Sequence, residues 1–482
     1  MSQADIGLIG LAVMGQNLVL NFCDHGYKVA VYNRTTSKMD EFLNGGAKGK
    51  NIIGSKSIEE FCLNLKRPRK IMLMVKAGTA VDSTIESIIP YLESGDIIID
   101  GGNSLYTDTE RRCNELQPKG IHYIGMGVSG GEEGARHGPS LMPGGHEAAW
   151  SEVSEIFQSI AAKVGDDACC EWIGTGGAGH YVKMVHNGIE YGDMQLISEA
   201  YHLLRFGLGL PVEALQQIFE DWQHGVLDSY LIEITAQILG VKDDDGLPLV
   251  DKILDSAGQK GTGKWTAIDA LESGIPLTLI GEAVFSRFLS SLKTQREHAS
   301  QVLPGPGKSR LPHEPEMIQY IQDALYASKI ISYTQGFMLM QQASQQNDWQ
   351  LNYGNIALVW RGGCIIRSRF LGDIKQAYQD DPQLDNLFLP DFFRTAIDQS
   401  QGGWRKAIQF AIECGIPTPA FSSALAFYDG YRTAQLPANL LQAQRDYFGA
   451  HTYERLDSPR GEYFHSNWTG AGGTVSSSQY DV

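Results

Sequence analysis

The chain opens with short apolar runs separated by helical patterns. Ile6–Ile9, Val29–Tyr32, Ile71–Val75, Ile97–Ile99 and His122–Ile124 are rich in Ile and Val and are bounded by Gly, Asp or Asn. Continuous rather than alternating apolar runs are what strands buried on both faces carry, so these segments predict a parallel sheet built from βα units. Gln16–Cys23 predicts the first helix. From Gly179 onward the apolar spacing becomes helical, as in Met194–Leu204, Leu215–Trp222, Leu231–Leu239, Ala283–Leu292 and Ala324–Met340, and strand-like runs nearly vanish. The pattern therefore predicts an α/β domain over residues 1–177 and a large all-α domain over 178–433, too long for one simple bundle. The proline-bearing Gly305–His313 predicts a surface loop. After Tyr431 the pattern weakens, and residues 434–482 read as a C-terminal tail with a small, polar end at Thr469–Tyr480.

Composition narrows the class. With 482 residues, 43% hydrophobic and 20% charged, the chain is long enough for several globular cores. Its 39 basic and 56 acidic side chains give a net charge of -17, which repels nucleic acid and anionic membrane surfaces. An anionic ligand then needs a local cluster of placed Lys, Arg and His. The seven cysteines are odd in number and form no CxxC pair, so we expect a reducing compartment and no structural metal. The N-terminus has no basic, apolar leader pattern, and a cytoplasmic protein is the expectation.

The segment Ile6–Gly15 reads as a strand, a tight turn and a helix start. Gly10, Ala12 and Gly15 stand where a G-x-G-x-x-G dinucleotide fingerprint needs small residues, with Ala a departure at the second position. Gly10 permits the turn, Ala12 lets backbone approach a pyrophosphate, and Gly15 permits close helix–strand packing. The second strand ends in Asn33-Arg34-Thr35, where NAD enzymes carry an acid for the ribose hydroxyl. Donors and a positive charge suit a 2′-phosphate instead, so the chemistry favours NADP.

Lys183, His186, Asn187, Glu190 and Tyr191 recur at i, i+3, i+4, i+7 and i+8 and share one helical face. Val182, Val185 and Ile189 point largely elsewhere and can pack. Solvated charged stripes repeat Glu and Lys; five chemically distinct side chains look like a ligand wall. A partly desolvated lysine can act as a base near neutral pH, and a desolvated glutamate as an acid. Gly258–Lys264 nearly matches a Walker A loop, but Trp265 replaces the required Ser or Thr, and Leu249–Ala257 reads as helical rather than as a strand. Nucleotide hydrolysis is rejected, while the loop still offers backbone donors and Lys260 to a substrate phosphate. Arg287 and Arg445 are further candidate phosphate partners. The role of Trp360–Arg367 is open.

These blocks, with Asp100-Gly-Gly-Asn-Ser, Gly127–Arg136, Lys183–Asp193, Gly258–Thr266, Trp360–Ser368, Tyr428–Tyr431 and Gln444–Tyr453, resemble the decarboxylating 6-phosphogluconate dehydrogenases essentially end to end. The resemblance implies a Rossmann N-terminal domain, a large helical domain and a homodimer whose tail reaches the partner. It implies oxidation and decarboxylation of 6-phosphogluconate by NADP, with Lys183 as general base and Glu190 as general acid. It implies substrate contacts from Asn103, Ser129, Gly130, Gly131, His186, Asn187, Tyr191, Lys260 and Arg287, with Arg445 and His451 supplied by the other subunit. Cofactor contacts would come from Gly10, Leu11, Ala12, Val13, Met14, Gly15, Asn33, Arg34, Thr35, Val75, Lys76, Ala77 and Asn103, and from Ser477 and Ser478 of the neighbouring tail. Two alternatives stay open: a dehydrogenase for another β-hydroxyacid such as 3-hydroxyisobutyrate, and a catalytically silent nucleotide-binding structural protein. The candidate phosphate cations weigh against the first, and the Lys183/Glu190 pair against the second.

Overall fold

A computed structural model describes residues 3–306, 316–470 and 472. The chain divides into two compact units, Met1–Ala424 and Leu425–Val482.

The first unit begins with an alternating α/β half. Its strands are β1 (Ile6–Ile9), β2 (Val29–Tyr32), β3 (Ile52–Gly54), β4 (Lys70–Leu73), β5 (Ile97–Asp100), β6 (His122–Ser129) and β7 (Ser140–Gly145). A small hairpin of β8 (Lys163–Val164) and β9 (Asp167–Ala168) follows, then β10 (Gly174–Thr175). Helices α1 (Val13–Asp24), α2 (Thr36–Asn44), α3 (Ile58–Leu63), α4 (Thr79–Ile88), α5 (Tyr106–Leu116), α6 (Gly131–His137) and α7 (Trp150–Ile160) connect them. The eight-stranded sheet has the order β10-β7-β6-β5-β4-β1-β2-β3, parallel except for the β6–β7 pair. Every residue of β1 and β5 is buried, as the apolar runs predict. One apolar cluster centres on Leu18, Phe22 and Phe157, another on Phe61, Ile85 and Leu116. The chain steps from β1 outward to β3 and then returns to β4 on the other side of β1, which makes β1 the topological switch point.

The helical half runs α8 (Ala178–His202), α9 (Val212–Gln223), α10 (Tyr230–Gly240), α11 (Thr262–Glu272), α12 (Thr278–Ser291), α13 (Lys293–Val302), α14 (Met317–Asn347), α15 (Tyr353–Val359), α16 (Leu371–Asp380) and α17 (Asp391–Cys414). Helix α18 (Pro419–Tyr431) ends inside the second unit, which also holds α19 (Ala438–Gly449). Helix α8 packs against β6 and β7 on one side and α11, α12 and α14 on others, so it is buried nearly all round. At Gly188 a Cβ would lie 2.7 Å from Thr266 Cγ2 of α11, so the close approach of the two helices requires glycine there.

Several expectations change. Helix α1 starts at Val13 rather than Gln16, because the fingerprint turn feeds straight into it. Strand β6 runs on to Ser129, beyond Ile124; Gly125 and Gly127 interrupt its apolar pattern, but pairing with β7 carries it through. Strand β7, whose Ser140–Gly145 holds Pro and two Gly, and helix α19 are absent from the sequence expectations. Leu249–Ala257 is one short 3-10 turn, Leu249–Lys252, followed by irregular chain, so it is neither the expected helix nor a strand. Most of Gly305–His313 and both Ser477 and Ser478 lie outside the described residues. All seven cysteines are free.

Candidate active site

The fingerprint turn lies at the switch point. Gly10 has φ +106°, and a Cβ there would sit 2.4 Å from the Met74 carbonyl oxygen. A Cβ on Gly15 would meet the Gly10 carbonyl oxygen at 2.0 Å. Ala12 is the N-cap of α1 and makes no side-chain cap, so the first-turn N–H groups face the cleft as an anion would need them. A cleft of about 790 Å³ opens beside this turn, lined by Gly10, Leu11, Ala12, Asn33, Arg34, Thr35, Val75 and Lys76 among others. It thus gathers most of the expected cofactor residues. The cradle around Gly10, the uncapped helix start and the cations at Arg34 and Lys76 fit a dinucleotide phosphate. Asn33 uses its amide locally: its Oδ1 accepts from Leu11 N at 3.0 Å, and its Nδ2 donates to the Thr35 carbonyl at 2.9 Å. Asn33 therefore ties two turns together, leaving Arg34 and Thr35 to face a ligand. Lys38, Thr79 and Thr84 also line the cleft and escaped the sequence reading. Lys38 was legible as a cation one helical turn after Arg34.

The structure brings Lys183, His186, Asn187 and Glu190 of α8 together. Lys183, His186, Asn187 and Tyr191 are buried, and Glu190 is about a quarter exposed. His186 stands at the centre. Its Nδ1 lies 3.2 Å from Lys183 Nζ, 3.0 Å from Asn187 Oδ1 and 3.9 Å from Glu190 Oε2. Its Nε2 lies 2.9 Å from Ser129 Oγ at the end of β6 and 2.9 Å from Cys364 Sγ. Cys364 belongs to the Trp360–Arg367 segment, whose Trp360 ring meets the His186 ring edge-on. That segment, left without a role by its sequence, is part of the site's wall. Burial disfavours charge on all three titrating groups. It lowers the Lys183 ammonium pKa, against the opposing charge of Glu190. It holds His186 well below its ordinary value, with Lys183 adding to the effect. It raises the Glu190 carboxyl, against the nearby cations Lys183 and Arg287. A depressed lysine and a raised glutamate on one helix face are chemically suited to accept and to donate a proton.

At the far end of this face the Arg287 guanidinium stacks on the Tyr191 ring, 3.5 Å from its centroid, and donates to the Gly258 carbonyl at 3.2 Å. That bond secures the loop carrying Lys260, which is exposed just before α11. Asn103 is exposed in the turn after β5, Gly130 is the N-cap between β6 and α6, and Gly131 is the first residue of α6. Arg445 and His451 lie in the second unit, on α19 and the turn after it. There the buried Asp446 carboxylate accepts from Thr452 N, His465 Nδ1, Ser466 N and Trp468 Nε1 at 2.8–3.1 Å, which fixes the turn around His451.

Residues 5–174 match the NAD binding domain of 6-phosphogluconate dehydrogenase, and residues 179–468 match the 6-phosphogluconate dehydrogenase C-terminal domain. This chain belongs to the 6-phosphogluconate dehydrogenase family. Curated relatives named 6-phosphogluconate dehydrogenase, decarboxylating, include one from Rattus norvegicus, 62% identical over all of both chains. Another, from Haemophilus influenzae, is 61% identical over all of this chain and 99% of its own. The solved Plasmodium falciparum 6-phosphogluconate dehydrogenase, described in apo form and in complexes with its cofactor NADP+ and its substrate 6-phosphogluconate, superposes with a TM-score of 0.92. It is 47% identical, covering 96% of this chain and 100% of that one. The family's two parts meet at the start of α8, so the site helix opens the C-terminal part.

Proposed function

We propose that this chain oxidises and decarboxylates 6-phosphogluconate to ribulose 5-phosphate and carbon dioxide while reducing NADP to NADPH, a step of the pentose phosphate pathway. The observation that carries the reading is the buried Lys183 and the largely covered Glu190 around His186, in a chain 62% identical end to end to decarboxylating relatives. Residues 1–177 hold NADP, residues 178–433 supply the site helix, and residues 434–482 reach the partner of a homodimer.

Gly10–Gly15, Arg34, Thr35, Val75–Ala77 and Asn103 hold the cofactor. NADP held there would supply the acceptor for the hydride that leaves C3. Lys183, with its ammonium destabilised by burial, takes the proton of the C3 hydroxyl. The resulting 3-keto acid loses carbon dioxide as its carbonyl takes up the electron pair, and the Lys183 ammonium stabilises the enolate oxygen. Glu190, its carboxyl pKa raised by burial, delivers a proton to C1 of the enediol. Asn103, Ser129, Gly130, Gly131, His186 and Asn187 orient the sugar acid. Tyr191, Lys260 and Arg287 meet its phosphate, joined by Arg445 and His451 of the partner subunit, while the partner's Ser477 and Ser478 approach the cofactor. The net charge of -17 supports a protein that binds neither nucleic acid nor membrane, and the seven free cysteines support a reducing, cytoplasmic location. Among the described residues no helix is long and apolar enough to cross a membrane.

The test is NADPH absorbance with 6-phosphogluconate and NADP, with carbon dioxide trapped in step. Lys183→Met should abolish both signals and leave NADP affinity nearly intact. Full activity in that variant, or turnover of 3-hydroxyisobutyrate in place of 6-phosphogluconate, overturns the reading.

A further inference from the structure

Arg112 on α5 is 1% exposed, and among the described residues it is one of very few arginines so deeply buried. A buried guanidinium is costly unless its donors are satisfied. Here they are satisfied by two separate turns. Its Nη2 donates to the Gly78 carbonyl at 3.1 Å, and its Nε to Asp82 Oδ1 at 2.8 Å. Both acceptors belong to the β4–α4 turn and the first turn of α4. Its Nη1 lies 3.5 Å from Asp100 Oδ2 and 3.5 Å from Ser104 Oγ, in the β5–α5 turn. Asp100 in turn shapes that loop: Oδ1 accepts from Gly102 N at 3.0 Å, and Oδ2 accepts from Ser104 Oγ at 2.5 Å and Tyr123 OH at 2.9 Å. The two turns also touch directly, since a Cβ on Gly102 would sit 3.1 Å from the Val75 carbonyl oxygen.

Sheet order says which part of a dinucleotide these turns serve. The fingerprint is at β1, and Arg34 and Thr35 follow β2 on one side of it. Strands β4 and β5 lie on the other side of β1. A dinucleotide with its phosphates at β1 and its 2′-phosphate at β2 puts its nicotinamide half over β4 and β5. We propose that Arg112 is a positioning residue that locks the Val75–Gly78 turn and the Asp100–Ser104 turn into one wall under the nicotinamide half of the cofactor. It touches neither ligand. Its planar fork reaches both turns at once, which an ammonium cannot do. The inference rests on the cofactor reading above.

Arg112→Lys keeps the buried charge and removes the fork. The Kd for NADP should rise about tenfold, the size of one lost charge-assisted hydrogen bond. The Kd for adenosine 2′,5′-bisphosphate, which lacks the nicotinamide half, should stay at the wild-type value. The kcat should fall by about 10²-fold, as for a reacting group misplaced by about 1 Å. Asp82→Asn, which leaves Arg112 and Asp100 in place and lies near the surface, should move the same ratio of the two Kd values in the same direction by less. It decides the matter alone if the lysine variant does not fold. Equal weakening of both ligands, or no change in their ratio, overturns the proposal and leaves a purely structural arginine. Wild-type turnover of 6-phosphogluconate, measured alongside, keeps this outcome separate from failure of the functional reading.

Discussion

His186 meets Lys183, Asn187 and Glu190 through one ring nitrogen and Ser129 and Cys364 through the other. With protonation of the ring disfavoured, it carries one N–H, and either tautomer finds a donor and an acceptor among these neighbours. The two groups that titrate around it influence each other. Glu190 as an anion raises the Lys183 pKa, and Lys183 as a cation lowers that of Glu190. Their protons therefore leave in steps that belong to the pair. The proposed mechanism uses neutral Lys183 and protonated Glu190, so the pH–rate profile should be a bell. Glu190→Gln leaves Lys183 as the one titrating member of the pair. The alkaline limb of the profile should disappear while kcat falls by about 10²- to 10⁴-fold, the usual worth of a general acid. A bell that persists in the variant would show that Glu190 is not one of the two titrating groups. All four of these α8 residues were legible from helical spacing, because the period of 3.6 is local. Cys364 was not, since it lies 178 residues from His186 and only the fold joins them.

Helix α8 also organises a neighbouring element. Glu199, 3% exposed, accepts from Ala420 N at 2.8 Å and Phe421 N at 2.9 Å, capping the start of α18 with a carboxylate. Burial raises its pKa to about 7, against those hydrogen bonds. The folded chain thus holds this proton at pH values where the unfolded chain has lost it. The stabilising contribution is full below the ordinary pKa of 4.5 and is lost as pH rises through about 7. Glu199→Gln cannot titrate. Unfolding midpoints taken across this range should show wild type losing ground to the variant as pH rises, by on the order of 3 kcal/mol in total. A constant difference, or one of opposite slope, would contradict the assignment. At this scale the sequence spoke well for strands with unbroken apolar runs. It missed the extension of β6 and the whole of β7, because glycine and proline obscure a strand whose stability comes from its partner.

The second unit carries Arg445 and His451, and in the proposed homodimer these serve the site of the partner subunit. That sharing predicts complementation. Chains with Lys183→Met and chains with Arg445→Ala, each nearly inactive as purified, should recover activity when refolded together. Random pairing gives hybrid dimers with one intact site, or about a quarter of wild-type activity. No recovery above the sum of the two variants would place Arg445 in its own chain's site or in none. The sequence by itself determined what is local in period or in turn chemistry: the βα alternation, the small residues of the Gly10–Gly15 turn, the absence of an acid after β2, and the single face of α8. Those features depend on dihedral preferences and spacing within a few residues of one another. The tertiary structure alone decided that α8 is buried against both the sheet and the helices, which desolvates Lys183 and Glu190 and so sets their chemistry. It also decided that Ser129 and Cys364 close around His186 and that Arg112 stands behind two cofactor turns at once. Desolvation and long-range hydrogen bonds depend on which elements meet, and no window of sequence contains that.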